Sequence, residues 1–201
     1  MSFLYILKKV PIDLGQGHLR KDTKGKIIAF SWVQESKGKK ALDVGCREGY
    51  QSKLLEERGY KVTSIDIEKK YEKCRIVDVN KKLPFKDNYF DLIWCSEVIE
   101  HLKDPVKSVE EFRRIVKPSG VMIMTTPNSY CFLFRFLSLL GLTPEKIQNK
   151  DHKHFFNIQD INKIFSNPEI VGFFPYFLIK LKIKSHVSSL SPTFVIKEIK
   201  E

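Results

Sequence analysis

The sequence predicts a doubly wound α/β domain, a mostly parallel sheet of seven strands with helices on both faces. Three observations predict it. Short apolar runs of strand length alternate with helical segments through the middle of the chain. The first three of these runs close on a glycine or a carboxylate. A chain of 201 residues, 42% hydrophobic and 29% charged, is sized and composed for one globular domain with a sizeable core.

The elements follow in order. "RKDTKGKIIAFSWVQESK", Arg20 to Lys37, reads as a helix whose apolar side is Ile27, Ile28, Phe30, Trp32 and Val33. "KKALDVG" is a short apolar run closed by glycine, which suits a buried parallel strand. "YQSKLLEERG" is a helix stopped by Gly59. "KVTSIDI" and "CRIVDV" are the second and third strands, "PFKDNY" a turn and "FDLIWC" the fourth strand. "DPVKSVEEFRRIVKPSG" is a helix with Pro105 in its first turn and Pro-Ser-Gly as its stop, and "VMIMTTP" is the fifth strand. Beyond it "SYCFLFRFLSLLGL" looks helical and "NIQDINKIF" makes a short helix. "EIVGFFPYFLI" and "TFVIKEI" are the last two strands, expected to pair as a long hairpin at the sheet edge. There is no internal repeat, so residues 1–201 read as a single domain with an N-terminal helical segment over 1–38.

Charge and cysteine content bound the setting. The net charge of +11 is uneven: residues 1–40 hold nine Lys/Arg against three Asp/Glu, and the middle of the chain is near neutral. Such a surplus attracts nucleic acid, phosphate or anionic lipid. No aromatic–basic interleaving of a nucleic-acid module accompanies it, so a lysine-rich solvated surface is the expectation. Cys46, Cys74, Cys95 and Cys131 fit no paired metal spacing and read as buried thiols of a cytoplasmic protein. The opening "MSFLYILKKVP" is apolar and then basic, the reverse of a secretory signal, and too short to span a bilayer.

In an open α/β sheet, ligands bind beyond the carboxyl ends of the strands. The first strand ends in "DVGCREG", where Gly45 and Gly49 let backbone approach a ligand and open a helix N-terminus. The second ends at Asp66, followed by Ile67; a carboxylate twenty-one residues past Gly45 is placed to accept hydrogen bonds from a ribose diol. Nicotinamide and flavin sites cradle a pyrophosphate on G-x-G-x-x-G. Here the spacing is G-x-x-x-G, with Asp43 two residues ahead. A carboxylate is a poor neighbour for a diphosphate and a good one for a sulfonium or an ammonium. That charge logic points to S-adenosyl-L-methionine.

"ALDVGCREGY", "VTSIDI", "VDVNKKLPFKDNYFDLIWCSEVIEHLKDP" and "FRRIVKPSGVMIMTTPN" resemble successive motifs of the class I S-adenosylmethionine-dependent methyltransferases, Rossmann-like enzymes. The likeness is closest to the branch acting on small molecules, quinones and glycans, and covers about half the chain, Ala41 to Asn128. It implies that the loop of Asp43, Gly45, Cys46, Arg47 and Gly49 holds the methionine part of the cofactor. It further implies that Asp66 meets the ribose hydroxyls, Asp78 the adenine amino group and Val79 the ring, that Ile67 is among the cofactor-binding residues, and that Cys95 and Ser96 line the methyl-donor cleft. Arg47 departs from the pattern, standing where the family has a middle glycine, so a differently shaped loop is expected.

"CSEVIEHL", Cys95 to Leu102, packs two glutamates and a histidine into five positions. The favoured expectation is structural: Glu97 and Glu100 stabilise a first helical turn, His101 packs beside it, and no metal is bound. In a second reading His101 is a general base. In a third, Glu97, Glu100 and His101 converge at i, i+3 and i+4, and "NKDHKHFFNIQD" supplies His152. That pattern resembles the metal-dependent 2′-O-methyltransferases of small-RNA 3′ ends. It requires the 127–157 segment to fold down so that His152 meets the turn. The same segment is expected to form a substrate-side lid, in which "SYCFLFRFLSLLGL" either covers an organic acceptor or packs as a core helix.

Methyl transfer asks mainly for alignment, and for a base only if the acceptor must lose a proton early. His152 and His154 are the first candidates, then His101. The expected partner is a small organic, glycan or lipid-like acceptor, with nucleic acid not favoured. A non-catalytic partner subunit that only binds the cofactor is the alternative from another class.

Overall fold

The computed structural model describes residues 13, 22–176 and 179–201. The apolar opening stretch therefore lies outside the described residues, as does the start of the helix expected from Arg20.

The first described helix, α1, spans Lys24–Phe30, with Thr23 as its N-cap accepting from the Lys26 amide. The Asp13 carboxylate accepts from the Lys24 amide at 2.7 Å. Trp32 and Val33 fall beyond this helix, which is shorter than its apolar pattern predicts. Strand β1 (Lys40–Val44), α2 (Tyr50–Glu57), β2 (Lys61–Asp66), β3 (Cys74–Ile76) and β4 (Phe90–Ser96) follow. Helix α3 (Pro105–Ile115) starts on Asp104, whose carboxylate caps the Lys107 amide, with proline in the first turn. It ends at Ile115, and Pro-Ser-Gly falls inside β5 (Val116–Pro127), where the register against β4 shifts between Phe90 and Leu92.

Beyond β5 come α4 (Phe132–Leu139), α5 (Pro144–Ile147) and α6 (Ile158–Ile164), the last closed by an Asn157–Asp160 capping box. Strand β6 (Glu169–Phe174), β7 (Leu181–Ile183), α7 (Val187–Leu190) and β8 (Thr193–Ile199) complete the chain. The sheet order is β3-β2-β1-β4-β5-β8-β6-β7. Strands β1 to β5 run parallel, β8 is antiparallel to both β5 and β6, and β7 is antiparallel to β6.

The doubly wound, mostly parallel sheet is as expected, with two differences. The sheet has eight strands because β6 stops ahead of Pro175 and β7 forms a separate edge strand. The last strand is not an edge hairpin: β8 lies between β5 and β6. The reason is burial on both faces. Phe194 and Ile196 join the core cluster on one side of the sheet, and Val195 joins the cluster on the other. Alternation divides the other strands likewise, with Leu42 and Ile93 on the first side and Ala41, Leu92 and Trp94 on the second. Among the described residues no helix is long and apolar enough to cross a membrane.

Candidate active site

A cleft of about 1030 Å³ opens at the carboxyl ends of β1 to β4. It lies at the switch point of the sheet, where β1 pairs with β2 on one side and β4 on the other. Its floor is the turn after β1. The Gly45 and Cys46 amides both donate to the Ile65 carbonyl, at 2.9 and 3.1 Å, which seats the turn over β2. Gly45 is left-handed (φ 73°), and a Cβ there would stand 2.4 Å from the Val98 side chain. Only glycine satisfies both conditions. Gly49, also left-handed at 77°, presses its Cα face on the Tyr71 ring and caps α2.

Arg47 keeps the left-handed backbone that a glycine would adopt (φ 45°). Its amide donates to the Asp66 carboxylate at 2.9 Å, while its side chain is largely exposed. The loop therefore turns at Arg47 through a backbone conformation that glycine adopts without strain. Asp66 also accepts from the Glu68 amide at 3.2 Å.

Asp43 sits beneath this loop, 1% exposed, and accepts from the Ser52 hydroxyl at 2.5 Å. Burial pushes its carboxyl up from 3.8 to about 6, and the nearby Asp66 adds to the rise. Asp78 lines the cleft beyond β3, its carboxylate folded onto the Asn80 amide and side chain, which lower its pKa.

The opposite wall is built from two segments distant in sequence. After β4, Glu97 takes a left-handed backbone (φ 57°), and a single 3-10 turn, Ile99–His101, carries Glu100 and His101. The Glu100 carbonyl accepts from the amides of Lys153 and His154 at 2.8 and 3.1 Å. This folds the 149–153 loop against the turn and brings His152 beside His101, with ring centroids 4.7 Å apart. Hydroxyls at the end of β5 hold the carboxylates: Thr125 donates to Glu97 at 2.9 Å and Thr126 to Glu100 at 3.0 Å. Ser96 joins Thr125 at 2.7 Å. Burial, and then Glu97, raise the Glu100 carboxyl well above its ordinary value, while burial lowers the His101 imidazole.

Comparison with known proteins matches this frame. The Methyltransferase domain family matches residues 42–124. The ubiquinone biosynthesis O-methyltransferase of Pseudomonas aeruginosa is 29% identical over 129 residues, 52% of this chain and 54% of that protein. That of Bordetella avium is 28% identical over 148 residues, 62% of this chain and 61% of that protein. The chain thus spans between half and two thirds of the length of these curated relatives. An S-adenosylmethionine-dependent methyltransferase from Mesorhizobium loti superposes with a TM-score of 0.64 at 14% identity, covering 87% of this chain and 96% of that one. One from Archaeoglobus fulgidus gives 0.61 at 18% identity, covering 99% and 95%.

Residues 42–124 form a class I S-adenosylmethionine-dependent methyltransferase domain.

Within that frame the residues singled out in the sequence divide four ways. Asp43, Gly45, Cys46, Arg47, Asp66, Ile67, Asp78, Val79, Ser96, His101 and His152 all line the cleft. Cys95 does not: its side chain is fully buried in the core on the other side of β4 from the ligand space, since alternation gives Ser96 the cleft. Gly49 serves the packing of Tyr71, one residue behind the lining. His154 is turned out of the cleft, with Nε2 on the Leu102 carbonyl at 3.0 Å and its ring stacked on Phe156. Of the two readings of the 127–157 segment, the core-helix one describes α4. Residues 149–153 reach the cleft, whereas α4 packs Phe134 with Cys131 and Ile147 in a small core of its own.

Sequence reasoning missed Lys26, which reaches the cleft from α1 and lies close enough to lower the Asp43 carboxyl. It also missed Thr125 and Thr126. Two hydroxyls at a strand's carboxyl end were a legible signal; a lysine in a lysine-rich helix was not.

The residues present fit the family's cofactor. A buried carboxylate whose pKa lies near 6 is poised for a cationic group, and Asp66 stands at the strand end with the glycine turn pressed close.

Proposed function

We propose that the protein transfers the methyl group of S-adenosyl-L-methionine to an oxygen of a small organic acceptor of quinone-precursor, glycan or lipid-like type. The observation that carries this reading is the two-walled cleft, with cofactor-type carboxylates on one wall and Glu97, Glu100, His101 and His152 on the other. The partial likeness to ubiquinone biosynthesis O-methyltransferases supports an oxygen acceptor in an apolar molecule.

Bound in the cleft, the cofactor supplies an electrophilic methyl group on a sulfonium. Asp66 would accept hydrogen bonds from the ribose hydroxyls. Asp43 would face the ammonium, whose positive charge would offset the burial that raises its pKa. Asp78 and Val79 border the adenine side. The loop amides and Ser96 fix the approach, so the rate gain comes chiefly from alignment. On the acceptor wall, Glu97 held by Thr125 and Glu100 held by Thr126 supply fixed negative charge beside two imidazoles. The exposed side chains of Phe132, Phe136 and Leu139 on α4, with Leu140 just after it, offer apolar surface to a lipid-like portion.

The test is formation of S-adenosylhomocysteine when the protein is supplied with the cofactor and a panel of catechols, hydroxylated prenyl-quinone precursors and glycolipids. Product with at least one hydroxylated acceptor is expected. Cofactor binding with no turnover on any acceptor class would overturn the transferase reading.

A further inference from the structure

Helix α4 is apolar on the side that packs and on the side that does not. At about 100° per residue, Phe134 turns into the small core with Cys131 and Ile147, flanked by the partly buried Leu133 and Leu137. The opposite side carries Phe132, Phe136 and Leu139, with Leu140 just beyond the helix, and each keeps between 51% and 84% of its surface exposed. Single exposed apolar side chains are ordinary; four gathered along one short helix are not. A solvated helix sets charges and hydroxyls on its outer face. Here Ser138 turns its hydroxyl back onto the Phe134 carbonyl at 2.8 Å. Arg135, exposed, is the only charged residue in the helix.

The charge around this face selects what covers it. Residues 131–153 hold Arg135, Lys146, Lys150 and Lys153 against Glu145 and Asp151, and all four cationic side chains are exposed. Lys146 donates from its ammonium to the Gly141 carbonyl at 2.9 Å, which sets a positive charge at the end of the helix, just past Leu140. Apolar side chains edged by cations fit an interface that is anionic outside and hydrocarbon within. A second copy of the chain fits poorly, because each copy carries +11 and joining two such faces sets like charges together. Eight helical residues are ~12 Å long, enough to lie in a bilayer surface and far short of crossing it.

We propose that the exposed face of α4 docks on an anionic phospholipid surface, its four apolar side chains entering the boundary between headgroups and acyl chains while Arg135 and Lys146 meet lipid phosphates. Attachment of this kind is reversible, since the buried apolar area is small and the charge attraction is screened by salt. The docking face lies beside the cleft. Ile147 belongs to the small core under α4, and the 149–153 loop that lines the cleft follows it directly. Resting on the transferase reading, this narrows the acceptor to a molecule held in or at the bilayer, its hydroxyl presented to the cleft from the lipid side.

The experiment mixes the full chain with sucrose-loaded vesicles, of phosphatidylcholine alone or of phosphatidylcholine and phosphatidylglycerol in equal parts, and measures the protein that sediments. Binding to the mixed vesicles should be at least tenfold tighter and should weaken as sodium chloride is raised. Phe136→Ser combined with Leu139→Ser should weaken it at least tenfold, and Arg135→Glu severalfold. These positions are exposed, so circular dichroism should show the wild-type fold in each variant. Phe136→Trp should keep the binding and shift its fluorescence to the blue on mixed vesicles, as an indole does on leaving water. Equal sedimentation with the two vesicle types, or wild-type binding by the folded serine variant, overturns the docking site. A dimer in sedimentation velocity that the serine variant dissolves, with no vesicle binding by either protein, also overturns it and gives the face to a second copy. S-adenosylhomocysteine binding is titrated on the same samples. Its survival without vesicle attachment rejects the docking alone; vesicle attachment without it rejects the cofactor reading alone.

Discussion

The two walls of the cleft are assembled by different rules. The cofactor wall is made of strand ends and a turn: Asp43, Gly45, Arg47 and Asp66 lie within 24 consecutive positions and are fixed by backbone hydrogen bonds and glycine geometry. The acceptor wall joins Glu100 and His101 to His152, across about fifty residues: two backbone amides clip the loop to the Glu100 carbonyl, but the functional groups themselves are held by the side chains of Thr125, Thr126, Gln148 and Ser129. A backbone-built wall tolerates an unusual side chain, as at Arg47. Functional groups held by other side chains have no such tolerance, so substitutions should separate the two.

The largest effect is expected at Asp43, where stability and function oppose each other. Its carboxyl is raised from 3.8 to about 6 in the fold, so the folded protein binds the proton more tightly than the unfolded chain. Stability therefore falls as pH rises from about 4 to about 6, and the penalty is full above that range. A shift of this size corresponds to about 3 kcal/mol. Asp43→Asn should accordingly raise unfolding stability at pH 7 by up to about 3 kcal/mol and leave it unchanged near pH 3.5. The same variant should lose cofactor affinity at least tenfold. Urea denaturation at the two pH values, with calorimetric titration of S-adenosylmethionine, checks both. A variant no more stable at pH 7 than at pH 3.5, relative to wild type, would remove the buried-charge account.

Asp66→Ala comes next. It removes the carboxylate expected to take both ribose hydroxyls and should weaken cofactor binding by roughly 1–3 kcal/mol. Fold stability should barely change, because the side chain meets only the loop amides of Arg47 and Glu68 at the cleft surface. Unchanged affinity in calorimetric titration would sink the ribose assignment, and with it the claim that this wall is the cofactor's.

How much of this was legible follows the same division. The order β1 to β5 and the cofactor wall could be read because each feature sits in one short window: an apolar run, then a glycine or a carboxylate. The edge of the sheet could not. Whether "TFVIKEI" lies outside or inside depends on what covers its second face, although its unbroken apolar start, Phe194 to Ile196, was a hint of double burial. Cys95 was misplaced for a related reason: proximity to the cleft in sequence does not fix which side of the strand a residue faces. His152 and His154, two positions apart, were indistinguishable as letters. One enters the cleft and the other stacks on Phe156, a choice made by the amides that clip this loop to Glu100.

The smallest expected effect is at Arg47, and it is the most direct test of the backbone rule. Two things are asked of this position: a left-handed backbone and an amide aimed at Asp66. Neither uses the guanidinium, which is mostly exposed and only 3.9 Å from Glu48. A non-glycine residue held left-handed carries a strain of roughly 1–2 kcal/mol. Glycine relieves it but loses about 0.5–1 kcal/mol through greater freedom in the unfolded chain. Arg47→Gly should therefore shift stability by less than about 1 kcal/mol and cofactor affinity by less than threefold, read by urea denaturation and calorimetric titration. A tenfold loss of affinity would mean that the guanidinium itself binds the cofactor's carboxylate. The cofactor wall would then depend on side-chain identity as the acceptor wall does, and the contrast between the two would fail at the residue where the family pattern is broken.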